Sequence, residues 1–497
     1  MSQTTDIETR QEGLGDMGSE EFREHARHLV DWIVEYRERI EELPVLSRVR
    51  PGEISSALPD RAPERPEAFE KILEDFDRVI MPGITHWNHP SFFAYFSITG
   101  SAPGILGEFL SAALNVNGML WRTSPAATEL EETTLAWLRE LMGLPASFEG
   151  LIYDTASISS LVAIAAAREA TGLAIRERGM SGRADLPQLV MYCSEQAHSS
   201  IEKAAITLGI GQGSVRKIAT DAEYRMDAEA LRSSVERDIR DGCRPFCAVA
   251  TVGTTATTSV DPVPAIAEIC EQHDMWLHVD AAYAGVAAIV PEMRWVIDGV
   301  ERADSVVVNP HKWLFTPVDL SAFYSRRLDT VADAFSLVAP YLRTGEDEVV
   351  RNYMNYGPQL GRRFRALKLW FVLRSFGREG IIARLREHVR LAQEFAVWVQ
   401  KDPNWVVEAP TPLSTVVFRA LPPGSSERGA DVINRGIEER VNATGEAFIA
   451  HTVLRDHVVL RLAIGNLGTQ ERHLRRVWEL LQKALEDCRN LKMDLHA

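Results

Sequence analysis

Two side chains define the chemistry open to this chain of 497 residues. Lys312 follows Ser305 to Val308, an apolar run too short for a helix and rich in β-branched valine, which predicts a buried strand. Asn309-Pro310 ends that strand and opens a turn, and His311, Lys312 and Trp313 come directly after it. A lysine held there between an imidazole and an indole is partly desolvated, which lowers its pKa and frees its amine to attack a carbonyl. Asp280 ends a second apolar strand, Met275 to Val279, and leads into Ala281, Ala282, Tyr283, Ala284 and Gly285, mostly small enough for a flat ring to lie close. A buried carboxylate in such a place can hold a pyridine nitrogen protonated, the condition under which pyridoxal 5′-phosphate acts as an electron sink. The two residues stand 32 positions apart, which fits one βαβ step of a sheet.

The elements that must position them follow from the rest of the chain. From about residue 150, strands alternate with helices: 151–154, then a helix to Ala170; 189–193, then a helix from His198; 215–218; 246–251, then a helix over 263–272; then the Asp280 and Lys312 strands. This alternation predicts an α/β fold with a mostly parallel central sheet and helices on both faces. Ligands of such sheets sit beyond the carboxyl ends of the strands, where Asp280 and Lys312 both fall. Ahead of this region, residues 20–42 carry apolar side chains at helical spacing, a proline-punctuated connector follows, and a second helix is expected near 68–80. Residues 124–141 form a further amphipathic helix, and 361–376 a long one. After about Arg384 come a helix over 385–401, a β-rich piece including 447–451 and 458–463, and a closing helix to about Cys488, together a small α+β domain.

Composition removes several classes of function. A hydrophobic content of 45% with 25% charged residues is ordinary for a globular protein. The formal net charge of −16 opposes nonspecific binding to nucleic acid or to an anionic membrane. Five scattered cysteines lack paired CxxC spacing, so neither a disulfide framework nor a zinc site is indicated. His273, His278, Asp280 and His311 match no standard metal spacing, and no metal is expected. The polar, acidic first eighteen residues lack the basic start and apolar run of a signal peptide, and no window reaches the length of a membrane span, so a cytoplasmic location is expected.

The segments HVDAAYAG (278–285) and NPHKW (309–313) resemble the group II pyridoxal-phosphate decarboxylases of fold type I. THWNHPSFFAYF (85–96), SEQAHSSIEKA (194–204) and LGRRFRALKLWF (360–371) are similar to the aromatic-L-amino-acid decarboxylase branch, of the bacterial type. The resemblance runs from about Ser19 to about Leu485. It implies three parts: residues 1–100, a helical segment wrapping a partner subunit; 101–384, the large cofactor-binding α/β domain; and 385–497, the small domain. A homodimer with shared active sites is implied with them.

Residue by residue, the resemblance makes Lys312 the lysine that holds the cofactor through an imine, and Asp280 the partner of its ring nitrogen. It places His198 on the face of the ring, Ala282 close beneath it, and Thr255 nearby, where that hydroxyl could equally cap a turn. Ala156 and Ser157 open a helix whose free N–H groups attract a phosphate, and Asn309 and His311 complete that cup. Tyr341 matches a tyrosine on a mobile lid, 339–350, that returns a proton after carbon dioxide leaves. Aldehyde-forming relatives carry phenylalanine at that place, so tyrosine argues for plain decarboxylation.

Trp87, Tyr95 and Phe96 are matched to the walls of the substrate's side-chain pocket. Gly361 matches a position that is glycine in indole-selecting plant relatives and serine in phenol-selecting ones. Where animal relatives carry proline and threonine this chain has Ser97 and Ile98, which loses a hydroxyl that could reach a ring oxygen. Asn117 and Met119, expected from across the dimer, and Val318 also depart from the animal pattern. Asn117 could bond an indole N–H or a phenolic hydroxyl, or pair with backbone. Arg461 resembles the carboxylate-clamping arginine of fold-type I transaminases, with a structural salt bridge as the alternative. The activity implied is decarboxylation of an aromatic L-amino acid such as tryptophan, phenylalanine, tyrosine or a hydroxylated derivative. Its rivals are an aromatic aldehyde synthase and a decarboxylase of glutamate or histidine.

Overall fold

The computed structural model describes residues 16–337 and 349–494, with side chains described to residue 490. Seven strands make the central sheet: β1 (Glu149–Tyr153), β2 (Leu189–Ser194), β3 (Val215–Ile218), β4 (Arg244–Thr251), β5 (Trp276–Asp280), β6 (Ser305–Val308) and β7 (Ser321–Ser325), in the order β1-β7-β6-β5-β4-β2-β3. The pairings from β6 to β3 are parallel, and β7 runs against both its neighbours. Every residue of β2, β5, β6 and β7 is buried, which is why β2, β5 and β6 read as apolar runs rather than alternating ones. Successive side chains point to opposite faces. Ala250, Val279, Val306 and Val308 join one core, while Met191, Cys193, Val249 and Phe323 join the other, beneath the helix Ala156–Glu169.

A second, antiparallel sheet follows, with β8 (Trp405–Val407), β9 (Thr415–Ala420), β10 (Ala450–Leu454) and β11 (His457–Ala463) in the order β10-β11-β9-β8. Helices Glu427–Thr444 and Glu471–Asp494 share its core, which contains Phe395, Phe418 and Trp405 and also takes in Phe93 from the distant aromatic segment. That segment is stitched to the sheet. Phe93 donates its N–H to the Phe448 carbonyl at 2.8 Å, Ala463 donates to the Phe93 carbonyl at 2.9 Å, and Val45 donates to the Gly445 carbonyl at 2.8 Å. No helix among the described residues is long and apolar enough to cross a membrane.

The expected strand at 305–308 and helix at 263–272 appear with the same limits. Four expectations are corrected. The two helices read at 361–376 and 385–401 are present within Ala366–Lys401, separated at Gly377 (φ 59°, ψ 174°), but 361–365 is not helical and the second helix begins directly after the break. The chain between β5 and β6 holds short tight turns at Ala284–Ile289, Pro291–Ile297 and Val300–Arg302 instead of a crossover helix. Residues 284–289 are buried on every side, so they carry no helical polar face to read. Pro310 does not merely break the strand: it starts one helical turn, Pro310–Trp313, at the position where its missing N–H costs nothing. Strand β7, five residues long with a serine at each end, had no counterpart in the sequence reading.

Gly285 lies where these turns press on β6. A Cβ there would stand 2.7 Å from Val308 Cγ2 and 3.1 Å from the Ala281 Cβ. Gly285→Ala is expected to destabilise the fold by about 1–3 kcal/mol through overpacking, seen as an earlier midpoint in urea unfolding.

Candidate active site

Asp280 and Lys312 meet because β5 and β6 are parallel neighbours, with Asp280 paired to Val307. Beyond the strand ends the two chains are laced by backbone bonds: Ala281 N–H to the Val307 carbonyl at 3.0 Å, and Asn309 N–H to the Ala282 carbonyl at 3.0 Å. Asp280 is buried, and one of its oxygens, Oδ1, accepts the Ala282 N–H at 3.1 Å. Lys312 is half-buried, and loss of hydration pushes its pKa below the ordinary lysine value while the Asp280 carboxylate pulls the other way. His198 is open to solvent on one side. Its pKa is nonetheless lowered by the surrounding protein, raised by Asp280 and lowered again by Lys312, so all three groups share one electrostatic site. The Ser200 N–H reaches His198 Nδ1 at 3.2 Å, which leaves the ring proton on Nε2.

The floor of the site is a stack of rings. Phe96 lies on Tyr283 with centroids 3.7 Å apart and planes 9° apart, and Tyr283 lies on Trp313 at 5.0 Å and 9°. Lys312 Nζ stands 5.4 Å from the Phe96 centroid, and the Arg461 guanidinium carbon is also 5.4 Å from it. Arg461 is buried and donates to the main-chain carbonyls of Ala256 and Ala94, each at 3.1 Å; its Nη2 has no hydrogen-bond partner among the described residues. No carboxylate there pairs with it, so the salt-bridge alternative is not what the fold builds. Burial lowers its pKa to about 10.

The residues expected to cradle a phosphate carry donors suited to an anion. Helix Ala156–Glu169 begins with no side-chain cap from Thr155, so the first N–H groups, those of Ala156 and Ser157, lack an intrahelical partner. His311 Nδ1 accepts the Leu320 N–H at 2.8 Å, and burial holds the pKa of the ring down at about 3, so the imidazole is neutral with its proton on Nε2. That Nε2 faces the Asn309 amide at 3.2 Å. Two donors cannot face each other, so the amide oxygen belongs there. The buried end of Asn309 left without a partner is then its NH₂, a donor suited to an anion. His311 has both nitrogens engaged by protein and orients Asn309 rather than touching a phosphate. Thr255 is exposed, in a loop tied by Thr254, Thr257 and Ser259 hydroxyl bonds, and its own hydroxyl has no partner among the described residues. Ala282 is buried beside Asp280. A buried carboxylate, a deprotonation-prone lysine, an uncapped helix start and a free amide donor fit pyridoxal phosphate.

The pocket residues separate into groups. Phe96 belongs to the floor. Trp87 (36% exposed) and Tyr95 (49% exposed) instead stack on each other at 5.8 Å, with Phe92 and Phe448 against them, and Ile98 is half-buried nearby in sequence. Asn117, Met119 and Gly361 form another group. Asn117 Oδ1 accepts the Arg362 N–H at 2.9 Å, and its Nδ2 lies 3.6 Å from where a Cβ on Gly361 would be. Among the described residues no hydrogen bond, ion pair or ring contact links that group to the Lys312 turn. Val318 is 58% exposed in the loop between Lys312 and β7. Tyr341 lies outside the described residues. Phe448 and Tyr283 were missed as part of the site: each is a lone aromatic in sequence, and only the packing gives it a role. A partly open cavity of about 210 Å³ lies at the amino ends of β4, β5 and β6, among Arg244, Arg302 and Arg327, away from the strand ends that carry Asp280 and Lys312.

Comparison with known proteins agrees with that reading. Residues 51–421 match the pyridoxal-dependent decarboxylase conserved domain. The chain is 42% identical over 481 residues to tyrosine decarboxylase 2 of Arabidopsis thaliana, covering 94% of this chain and 87% of that one. It is 41% identical over 480 residues to phenylacetaldehyde synthase of the same plant, covering 95% and 97%. A crystal structure of Oryza sativa TDC with PLP and tryptamine superposes with a TM-score of 0.91 at 36% identity, covering 95% of this chain and 99% of that one. The chain therefore belongs to the pyridoxal-dependent decarboxylases. It is a carboxy-lyase of fold type I whose cofactor is pyridoxal 5′-phosphate.

Two measurements check the electrostatics. In the apoprotein, the pH profile for amine-selective labelling of Lys312 should give a pKa below the ordinary value of about 10.5, and Asp280→Asn should lower it further by removing the anion that favours the ammonium. Burial also holds His89, His278 and His388 down at about 4, and His311 at about 3. Below about pH 6.5 the unfolded chain gains protons at these four rings that the folded chain refuses, so urea stability should fall between about pH 6.5 and 4. Asp261, raised to about 7 by burial, acts in the opposite sense with Asp304, Glu132 and Glu169, while the lowered pKa values of His86, His198 and His473 add to the effect of the four rings.

Proposed function

We propose that this enzyme decarboxylates an aromatic L-amino acid to its arylalkylamine, working in the cytoplasm as a homodimer of the bacterial type. The observation that carries the substrate class is the exposed aromatic wall of Trp87 and Tyr95, backed by Phe92 and Phe448, with the ring floor beneath Lys312. Flat apolar walls suit an aromatic side chain and give nothing to a carboxylate one. The relatives named above, acting on aromatic substrates, point the same way. Departures from the animal pattern at Ser97, Ile98, Asn117, Met119 and Val318 argue against catechol recognition and leave a tryptophan-like or phenylalanine-like side chain.

The bound cofactor supplies an electron sink next to the amino acid's α-carbon. The protein does the rest. Lys312, its pKa lowered by burial, gives up a proton more readily than an ordinary lysine and so offers its amine at the strand end. The second oxygen of Asp280 would hold a proton at the cofactor's ring nitrogen. The Asn309 amide and the N–H groups of Ala156 and Ser157 would hold its phosphate, and His198 would cover the open side. Arg461, a buried cation with a free Nη2, is placed to attract the substrate carboxylate. Tyr341 returns the proton at the α-carbon, and its identity supports amine over aldehyde as product.

The dimer reading rests on an uncovered apolar face. Leu106, Phe109, Leu110 and Leu114 on the helix Ala102–Leu114, with Phe22, Val30 and Val34 on Ser19–Glu38, leave apolar side chains in water that a second copy would cover. The five cysteines, none in a disulfide, suit a reducing compartment.

The test is an absorbance spectrum of the holoenzyme with a panel of aromatic amino acids, quantifying amine and carbon dioxide against aldehyde and peroxide. Amine and carbon dioxide are expected with wild type, and the imine band is expected to vanish in Lys312→Ala. Glutamate as the preferred substrate, or peroxide in step with turnover, would overturn the reading.

A further inference from the structure

The turn that carries Lys312 is held from behind by a side chain outside the site. Trp313 is buried, and its Nε1–H donates to His388 Nδ1 at 3.0 Å. His388 sits on the helix Ala366–Lys401, past the break at Gly377, and its Nε2 meets the Asn466 carbonyl at 3.1 Å. An indole nitrogen can only donate and a carbonyl can only accept, so the imidazole between them must be neutral, with Nδ1 bare and the proton on Nε2. Burial keeps it so, holding its pKa at about 4. Phe315 meets the same ring edge-on at 5.9 Å and 79°, which fixes its plane.

The chain of bonds continues. Asn466 Nδ2 donates to the His89 carbonyl at 3.2 Å, and Thr469 Oγ1 donates to the Pro90 carbonyl at 2.6 Å. His89 and Pro90 lie in the segment that displays Trp87 and Tyr95. Trp313, His388, Asn466, His89 and Thr469 are all buried, so each bond is made in a medium where leaving a donor unpaired costs about 1–3 kcal/mol. The ring stack closes the loop from the other side, because Trp313 supports Tyr283 and Tyr283 supports Phe96 below the lysine.

We propose that His388 is a positioning residue of the reaction: through Trp313 it fixes the turn bearing Lys312, and through Asn466 it ties that turn to the aromatic wall. The lysine and the wall are thereby held in one register. This rests on the reading that Lys312 captures the cofactor and that Trp87 and Tyr95 face the substrate.

Two amides separate the two bonds. In His388→Asn the side-chain oxygen takes the place of Nδ1 and can still accept from Trp313, but it cannot reach Asn466. In His388→Gln the amide nitrogen falls near Nε2 and can still donate to Asn466, but Trp313 loses its acceptor. Apoprotein of each variant is mixed with pyridoxal phosphate and the rate of imine absorbance is followed, then kcat and KM are measured on the holoenzyme. His388→Gln is expected to form the imine about tenfold more slowly than His388→Asn, since small misplacements of a reacting group are costly. His388→Asn is expected to show its loss mainly in KM for the aromatic substrate. His388→Leu, if it folds, should show both defects. Equal imine rates for the Asn and Gln variants, or losses that only follow their melting temperatures, overturn the proposal. An imine that never forms in wild type, or that persists in Lys312→Ala, overturns the lysine assignment and this proposal with it, and is distinguished by that control.

Discussion

The parallel pairing of β5 with β6 is the constraint on which this molecule depends. It puts a buried carboxylate and a desolvated ammonium at the same edge of the sheet, and neither would be stable there alone. Each pKa unit by which burial lowers Lys312 costs about 1.4 kcal/mol of folding stability at neutral pH, where the unfolded chain keeps its charge. Asp280 offsets part of that cost, and the direction of the net shift shows that burial still wins. The site is thus held short of its electrostatic optimum by the fold around it. A cofactor that binds only the folded chain would offset that cost by mass action.

Everything near this pair serves to keep it fixed. The turns after Asp280 are packed so closely on β6 that a single Cβ at Gly285 would collide with Val308. The backbone bonds from Ala281 and Asn309 cross between the two strand ends. His311 spends both its nitrogens inside the protein to point one amide outward. These are rigid supports built on strands, while the groups that contact a variable side chain, Trp87, Tyr95 and Val318, are left exposed on loops.

The sequence disclosed the chemistry better than the architecture around it. Lys312 and Asp280 were legible because each follows an apolar run of strand length and precedes a residue pattern no strand can continue. The order of the sheet was less so. β7 is five residues long, and its antiparallel direction depends on the return path after Lys312, which no local pattern specifies. Two helices were legible on either side of Gly377 because the change of direction there shifts the phase of the apolar stripe, while the ends of each were not. Tyr95 and Phe96 were read as one wall, yet adjacent residues in an extended segment face opposite ways, and they divide between the outer patch and the floor. The role of His311 could not be read either, since it rests on a bond from Leu320, nine residues on.

The floor shows why aromatic rings are used where aliphatic ones would pack equally well. Lys312 and Arg461 place two cations over the same Phe96 ring, each 5.4 Å from its centre. Two positive charges gathered at one buried ring repel, and the only anion described among the interactions of the lysine is Asp280, which the cofactor nitrogen requires. A π face eases the crowding because its quadrupole attracts cations, by about 0.5–2 kcal/mol for each contact. A leucine in place of Phe96 would fill the space and leave the repulsion. The stack also relays the position of Trp313 to that ring through flat contacts only 9° from parallel, so the surface under the lysine is set by residues that never touch it.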